Sequence, residues 1–182
     1  MNLNQSLKLL FLTNGIFVLA GIALVPIYAL FAESVGANLI TISLLASTLF
    51  VAKAIGTVLM HYFGDLLGTK KSWLICGFFL RSAGWISLVF ASGVGFLFAI
   101  QIILGLSEGI GSPAFRALVA KNLDDGREVS EYADWEFILA VVGVVGTASG
   151  GFIASTFGFE VLFSVICLLG IISAMIATRI KQ

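Results

Sequence analysis

Residues 94–121 read VGFLFAIQIILGLSEGIGSPAFRALVAK, and this stretch decides both the class of the protein and where its chemistry lies. From Val94 to Phe115 the only charged residue is Glu108. A helix needs about 20 predominantly apolar residues to cross the hydrocarbon core of a bilayer, so this run is long enough to span it. Within it Gln101, Gly105, Glu108, Ser112 and Arg116 recur at steps of four, three, four and four, which puts them on one helical face. A span with one polar stripe turns it towards a bundle interior or an aqueous cavity.

Outward from that stretch, five more apolar runs lie at roughly 7–33, 38–64, 72–92, 130–156 and 159–180. The expected fold is therefore all-α, a polytopic membrane protein of six transmembrane helices in a single domain, 1–182. Composition agrees: 59% of the residues are hydrophobic and 11% charged, against roughly 25% charged in an ordinary soluble domain. A barrel would show short alternating segments instead of continuous apolar runs. Zero formal net charge offers no basic surface for nucleic acid. Cys76 and Cys167 sit in separate apolar runs and are expected as free, buried thiols. The apolar run after Lys8 lacks a small-residue cleavage site, so no signal peptide is expected. One histidine at a helix end gives no metal set and no nucleophile–base pair, so neither a metal, a cofactor nor an enzyme is expected.

Orientation follows from the basic residues. The junctions near 34–38, 92–95 and 156–160 contain none, whereas the opposite side collects Lys8, Lys70, Lys71, Arg116, Lys121, Arg127, Arg179 and Lys181. Positive charge is retained on the cytoplasmic side, so both termini are expected there, in a cell (inner or plasma) membrane. The acidic residues Asp124, Asp125, Glu128 and Glu131 do not alter this, because the rule does not count net charge.

Lys53, Arg81 and Glu108 fall near the middles of the second, third and fourth spans. Each costs about 2.5–3.5 kcal/mol at the centre of an isolated helix, so the three must pair or face water. They form either an ion pair that fixes helix register or a midplane site for a substrate, a proton or both. Asn14, Gly21 and Tyr28 make a weaker stripe on span 1. Pro26 and Pro113 are kinks or hinges. Gly143, Gly146, Gly150 and Gly151 mark span 5 as a packing interface, within the bundle or with a second subunit.

The segment HYFGDLLGTKKSWL at 61–74 resembles the cytoplasmic 2–3 loop signature of the major facilitator superfamily, Gly-x-x-x-Asp-x-x-Gly-x-basic-basic. Asp65, Gly68, Lys70 and Lys71 fall on it, and His61 stands where the first glycine is usual. The stretches 105–123 and 143–151 resemble the family's fourth and fifth helices. Two departures stand out. Gly105 replaces an arginine associated with proton coupling, and Glu108 stands where glutamine is frequent.

The resemblance implies one half of a transporter, built as two inverted three-helix repeats (about 1–92 and 93–182). Helices 1 and 4 would line the cavity, helices 2 and 5 would face another half, and helices 3 and 6 would lie outside. It also implies a cytoplasmic gate of Asp65, Gly68, Lys70, Lys71 and Arg116, in which Asp65 meets Arg116 or a helix N-terminus and a lysine meets Asp134 or Glu136. The bland alternative for the lysines is membrane anchoring alone.

The expected function is secondary-active transport of a small solute by alternating access, as a parallel homodimer in the lipid bilayer. The site would comprise Lys53, Arg81, Glu108, Asn14, Gln101, Ser112 and Tyr28, with Glu108 coupling to a proton or cation. Burial favours its neutral form and a neighbouring cation its charged form. A heterodimeric half and a non-transporting assembly or regulatory subunit are the alternatives.

Overall fold

The computed structural model describes residues 3–180; Lys181, counted above among the basic residues, lies outside them. Among the described residues there are seven α-helices and no strand. They are α1 (Gln5–Leu24), α2 (Tyr28–Ser34), α3 (Leu39–Phe63), α4 (Lys70–Ser87, continued by a 3-10 turn at Leu88–Phe90), α5 (Val94–Asn122), α6 (Glu128–Phe157) and α7 (Phe159–Ala177). Six stretches are long and apolar enough to cross a membrane.

Span 1 is two helices rather than one. Pro26 has no N–H to give and its ring crowds the preceding turn, so the chain passes Val25–Ile27 on bonds that span three residues instead of four: Val25 N–H to Ile22 O and Ile27 N–H to Leu24 O, both 3.2 Å. Pro113 does not break α5, which runs unbroken through it. Helix starts are set by side chains that accept the first free amides. Asn4 accepts from Leu7 N–H at 2.8 Å and Asn38 from Thr41 N–H at 2.9 Å. Thr69 and Ser72 form a reciprocal capping box. Between α5 and α6 the chain turns at Gly126, whose φ of 79° suits glycine.

The principal packing pairs are α3 with α5, α4 with α5, α4 with α7, α1 with α6 and α1 with α7. Exchanging span 1 with 4, 2 with 5 and 3 with 6 maps this set onto itself. Three of the pairs touch through bare backbone, α4 with α5 at Gly77, where a Cβ would lie 2.8 Å from Gly111 Cα, and α3 with α5 and α1 with α6. A Cβ on Gly105 would strike Leu49 O and come within 2.7 Å of Ala52 Cβ, and one on Gly109 would strike Lys53 O. Between α1 and α6, a Cβ on Gly146 would lie 3.1 Å from Leu19 O and one on Gly150 would strike Ala23 O. The span 5 interface expected from sequence is thus internal for these two glycines, whereas Gly143 and Gly151 meet nothing within 4 Å.

The apolar core is in two pieces. One, at the α1–α2 break, gathers Leu24, Phe31, Trp85, Ile100 and Phe163. The other, at the end holding the first and last described residues, gathers Leu7, Phe11, Phe78, Leu118 and Trp135. Phe17 packs against both, 4.2 Å from Phe78 and 5.3 Å from Trp85 between ring centroids. The two helices least covered are α3 and α6, with 17% and 11% of their most apolar stretch buried against 33–44% for the other four spans. Both cysteines are free, but only Cys167 is buried; Cys76 lies exposed on α4, contrary to the sequence expectation.

Candidate functional site

The ionisable residues at mid-depth meet. Lys53 from α3 donates through Nζ to Glu108 Oε1 at 2.6 Å, and Arg81 from α4 donates through Nη1 to Glu108 Oε2 at 2.9 Å. One carboxylate on α5 therefore holds cations from two other helices. The group is neither sealed nor fully wet, with side-chain exposures of 36% for Lys53, 27% for Glu108 and 18% for Arg81. The Arg81 guanidinium also lies 5.9 Å from the Phe17 ring centroid and 5.7 Å from that of Trp85, distances at which cation–π attraction acts. Its Nε has no hydrogen-bond partner.

Glycine is what lets these groups converge. The α3 and α5 backbones touch at Gly105 and Gly109, which flank Glu108. The arginine expected at position 105 from the family pattern has no room there. Its place is filled by the neighbouring helix, and a cation comes instead from Arg81.

A cavity of about 620 Å³ opens beside the triad and extends towards the α5–α6 loop. Asn14, Arg81, Glu108, Ser112 and Arg116 line it. Lys53, Tyr28 and Gln101 do not; Lys53 lies behind Glu108, and Tyr28 and Gln101 face each other near the α1–α2 break, closing no hydrogen bond at the tyrosine hydroxyl or the amide oxygen. The α5 stripe is thus divided: Gln101 is buried, Gly105 packs on α3, and Glu108, Ser112 and Arg116 enter the cavity. Sequence reading missed the contribution of α6, which brings Tyr132, Trp135 and Glu136 to the same wall. Their spacing of three and four residues was the available signal. It also missed Glu131, which is fully buried with Oε2 accepting from Asp124 N–H at 3.0 Å.

The loop motif is arranged otherwise than expected. Asp65 and Lys70 line a smaller cavity of about 250 Å³ with His61, Pro113 and Ala117, whereas Arg116 faces the large one. No ion pair joins Asp65 to Arg116 among the described residues, because they lie against different faces of α5. Lys71 meets neither Asp134 nor Glu136; it donates to Ile180 O at 3.0 Å, tying the start of α4 to the end of α7. Gly68 lies beside Trp73 in the same turn, and the Trp73 indole donates to Gly64 O at 2.9 Å. No cluster of three or more metal-ligating side chains occurs among the described residues.

Six apolar spans around a charged mid-depth cavity define a multi-pass membrane protein with a polar site inside it. The family profile of the Major Facilitator Superfamily matches residues 10–181, and the chain belongs to that superfamily. An uncharacterised MFS-type transporter of Mycobacterium tuberculosis is 24% identical over 137 residues, which are 75% of this chain and 24% of that one. Another, of Methanocaldococcus jannaschii, is 27% identical over 154 residues, 84% of this chain and 39% of that one. The chain thus spans about a quarter to two fifths of these relatives. Among solved structures the POT family transporter PepTSo superposes with a TM-score of 0.82 at 11% identity, over 98% of this chain and 37% of that one. At that identity the likeness is one of fold.

Proposed function

We propose that this chain is a six-helix half of a secondary transporter that moves a small solute across the cell membrane by alternating access. The observation that carries the reading is the Lys53–Glu108–Arg81 group. Three charged side chains from three helices meet, Arg81 and Glu108 of them on a cavity wall, at a depth where each alone costs about 2.5–3.5 kcal/mol. A structural ion pair needs no cavity and no second cation. The printed descriptions of both relatives as MFS-type transporters support the same reading. The exchange symmetry of the helix packing supports two inverted three-helix repeats.

Glu108 is the coupling group. Protonation removes its charge and releases Lys53 and Arg81, and the empty, deprotonated site re-forms both bonds. A panel of radiolabelled solutes offered to proteoliposomes under an imposed pH gradient tests this. Uptake driven by the gradient is expected for the native protein and not for Glu108→Gln. Full gradient-driven uptake by that variant would sink the coupling role.

The uncovered faces of α3 and α6 support a second six-helix unit packed against them. The proposed arrangement is a parallel homodimer about an axis along the membrane normal. Native mass spectrometry in nanodiscs should give two copies; a different six-span chain in the complex would favour a heterodimeric half instead. The distribution of basic residues supports cytoplasmic termini. A cysteine placed at Ser92 should then react with an impermeant maleimide outside intact cells, and one placed at Asp125 should not.

A further inference from the structure

We infer that the solute taken by this site is an organic monoanion, a carboxylate or sulfonate on an apolar body; this rests on the transport reading above. Arg81 and Glu108 line the cavity wall and Lys53 sits directly behind Glu108, so the triad as a whole carries a surplus of one positive charge (two minus one) within reach of the cavity. Lower in the cavity, Arg116 and Glu136 balance each other. Low-dielectric walls focus such a surplus, drawing in an anion and repelling a cation.

Donors are in surplus as well. A guanidinium has five N–H groups and an ammonium three. Glu108 engages Arg81 through Nη1 and Lys53 through Nζ, which leaves the N–H groups of Arg81 Nη2 without a protein acceptor among the described residues. What the triad lacks is an acceptor with negative charge, and a bidentate carboxylate or sulfonate supplies one. Phe17 and Trp85 beside the guanidinium hold it in place without using its donors. The rest of the wall sets the body of the solute: Phe17, Phe78, Phe115 and Trp135 leave an apolar, aromatic surface beside the charge. An inorganic anion would leave that surface wet.

Glu108 competes with the solute for Arg81, and its charge also offsets that of Lys53 behind it. Its neutral form should therefore admit the anion and its charged form exclude it, with Lys53 from α3 and Arg81 from α4 as the charged groups facing it and Arg116 and Glu136 in the same cavity.

Three near-isosteric probes separate the charge classes: benzoate, benzamide and benzylammonium. Binding is read by tryptophan fluorescence, since Trp135 lines the cavity and Trp85 flanks Arg81, with the protein in phosphatidylcholine nanodiscs. Benzoate should bind at least tenfold more tightly than the other two, the scale of one charge-assisted hydrogen bond. Arg81→Gln should lose this preference and Arg81→Lys keep part of it. Glu108→Gln should bind benzoate about tenfold more tightly at neutral pH, a gain that a merely structural carboxylate would not produce. If Arg81→Gln fails to fold, Lys53→Gln and Glu108→Gln carry the test. Preference for benzylammonium or benzamide, no binding of any probe, or weaker binding in Glu108→Gln would overturn the proposal. So would loss of benzoate binding when phosphatidylglycerol is added, since a lipid headgroup would then be the occupant. Benzoate binding without gradient-driven uptake of any anion would leave this inference standing and sink the transport reading alone.

Discussion

Lys53 and Glu108 are joined at 2.6 Å across the α3–α5 seam, at the point where the two backbones come closest. Glu108 is flanked by Gly105 and Gly109, the residues that let Lys53's own backbone touch α5. The ion pair and the glycine contact are therefore two parts of one joint. Its charge is partly exposed to the cavity and its backbone is not.

Removing the carboxylate outright should destabilise the protein. Glu108→Ala leaves two cations facing each other at mid-depth, and a lost charge-assisted partner costs about 1.5–3 kcal/mol. Replacing Lys53, Arg81 and Glu108 together by methionine should cost less than the single change, because it leaves no uncompensated charge. Thermal unfolding in detergent orders the two variants. The opposite order would mean that the triad acts by its net stability.

Two glycines of α6 should respond to alanine with opposite signs. A Cβ on Gly150 would strike the Ala23 carbonyl and lie 2.7 Å from its carbon, so Gly150→Ala should cost about 1–3 kcal/mol by overpacking. Gly143 meets nothing within 4 Å, so Gly143→Ala should gain up to about 1 kcal/mol from helix propensity. Equal effects would show that α1 and α6 do not touch as described.

Restoring the family arginine should fail. Gly105→Arg would drive a side chain into Leu49 O and Ala52 Cβ, separating α3 from α5 and breaking the Lys53 bond. Loss of monodisperse protein on size-exclusion chromatography is expected. A folded, active Gly105→Arg variant would show that the seam opens readily.

The paired lysines of the loop motif should prove separable. Lys71 is bonded to Ile180 O at 3.0 Å, so Lys71→Met should cost about 1 kcal/mol. Lys70 is exposed beside Asp65, and Lys70→Met should change stability by less than about 0.5 kcal/mol. Chemical denaturation in mild detergent distinguishes the two.

Much of this was legible in the sequence because the bilayer imposes length and polarity on each helix separately. The runs 38–64 and 94–121 became α3 and α5 within two residues, since the hydrocarbon core fixes where an apolar segment ends. The charged residues at depth were legible for the same reason: Lys53, Arg81 and Glu108 are costly wherever their helices sit. Which helix faces which is a tertiary matter. Periodicity aligned Gln101 and Gly105 with Glu108, but the α3 backbone covers Gly105 and Gln101 is buried beside Tyr28, so neither reaches the cavity. The two prolines read alike, yet only Pro26 broke its helix. The α6 wall was missed because Tyr132 and Trp135 lie next to the acidic loop, and their distance from the membrane centre hid their place beside the site.

The backbone contacts in the α3–α5, α4–α5 and α1–α6 seams have a mechanical consequence. Side chains that interdigitate have neighbouring notches to slip into, but a carbonyl resting on a glycine has none: one residue of sliding would bring a Cβ against it. Each seam therefore has a single gear position. Any rearrangement of the bundle must carry α3 with α5, and α1 with α6, as locked planks. Gly77 seats α4 on the Gly111 and Ser107 backbone of α5 in the same way, so α4 moves with α3 and α5, and the moving surfaces are left to be those on which α7 bears.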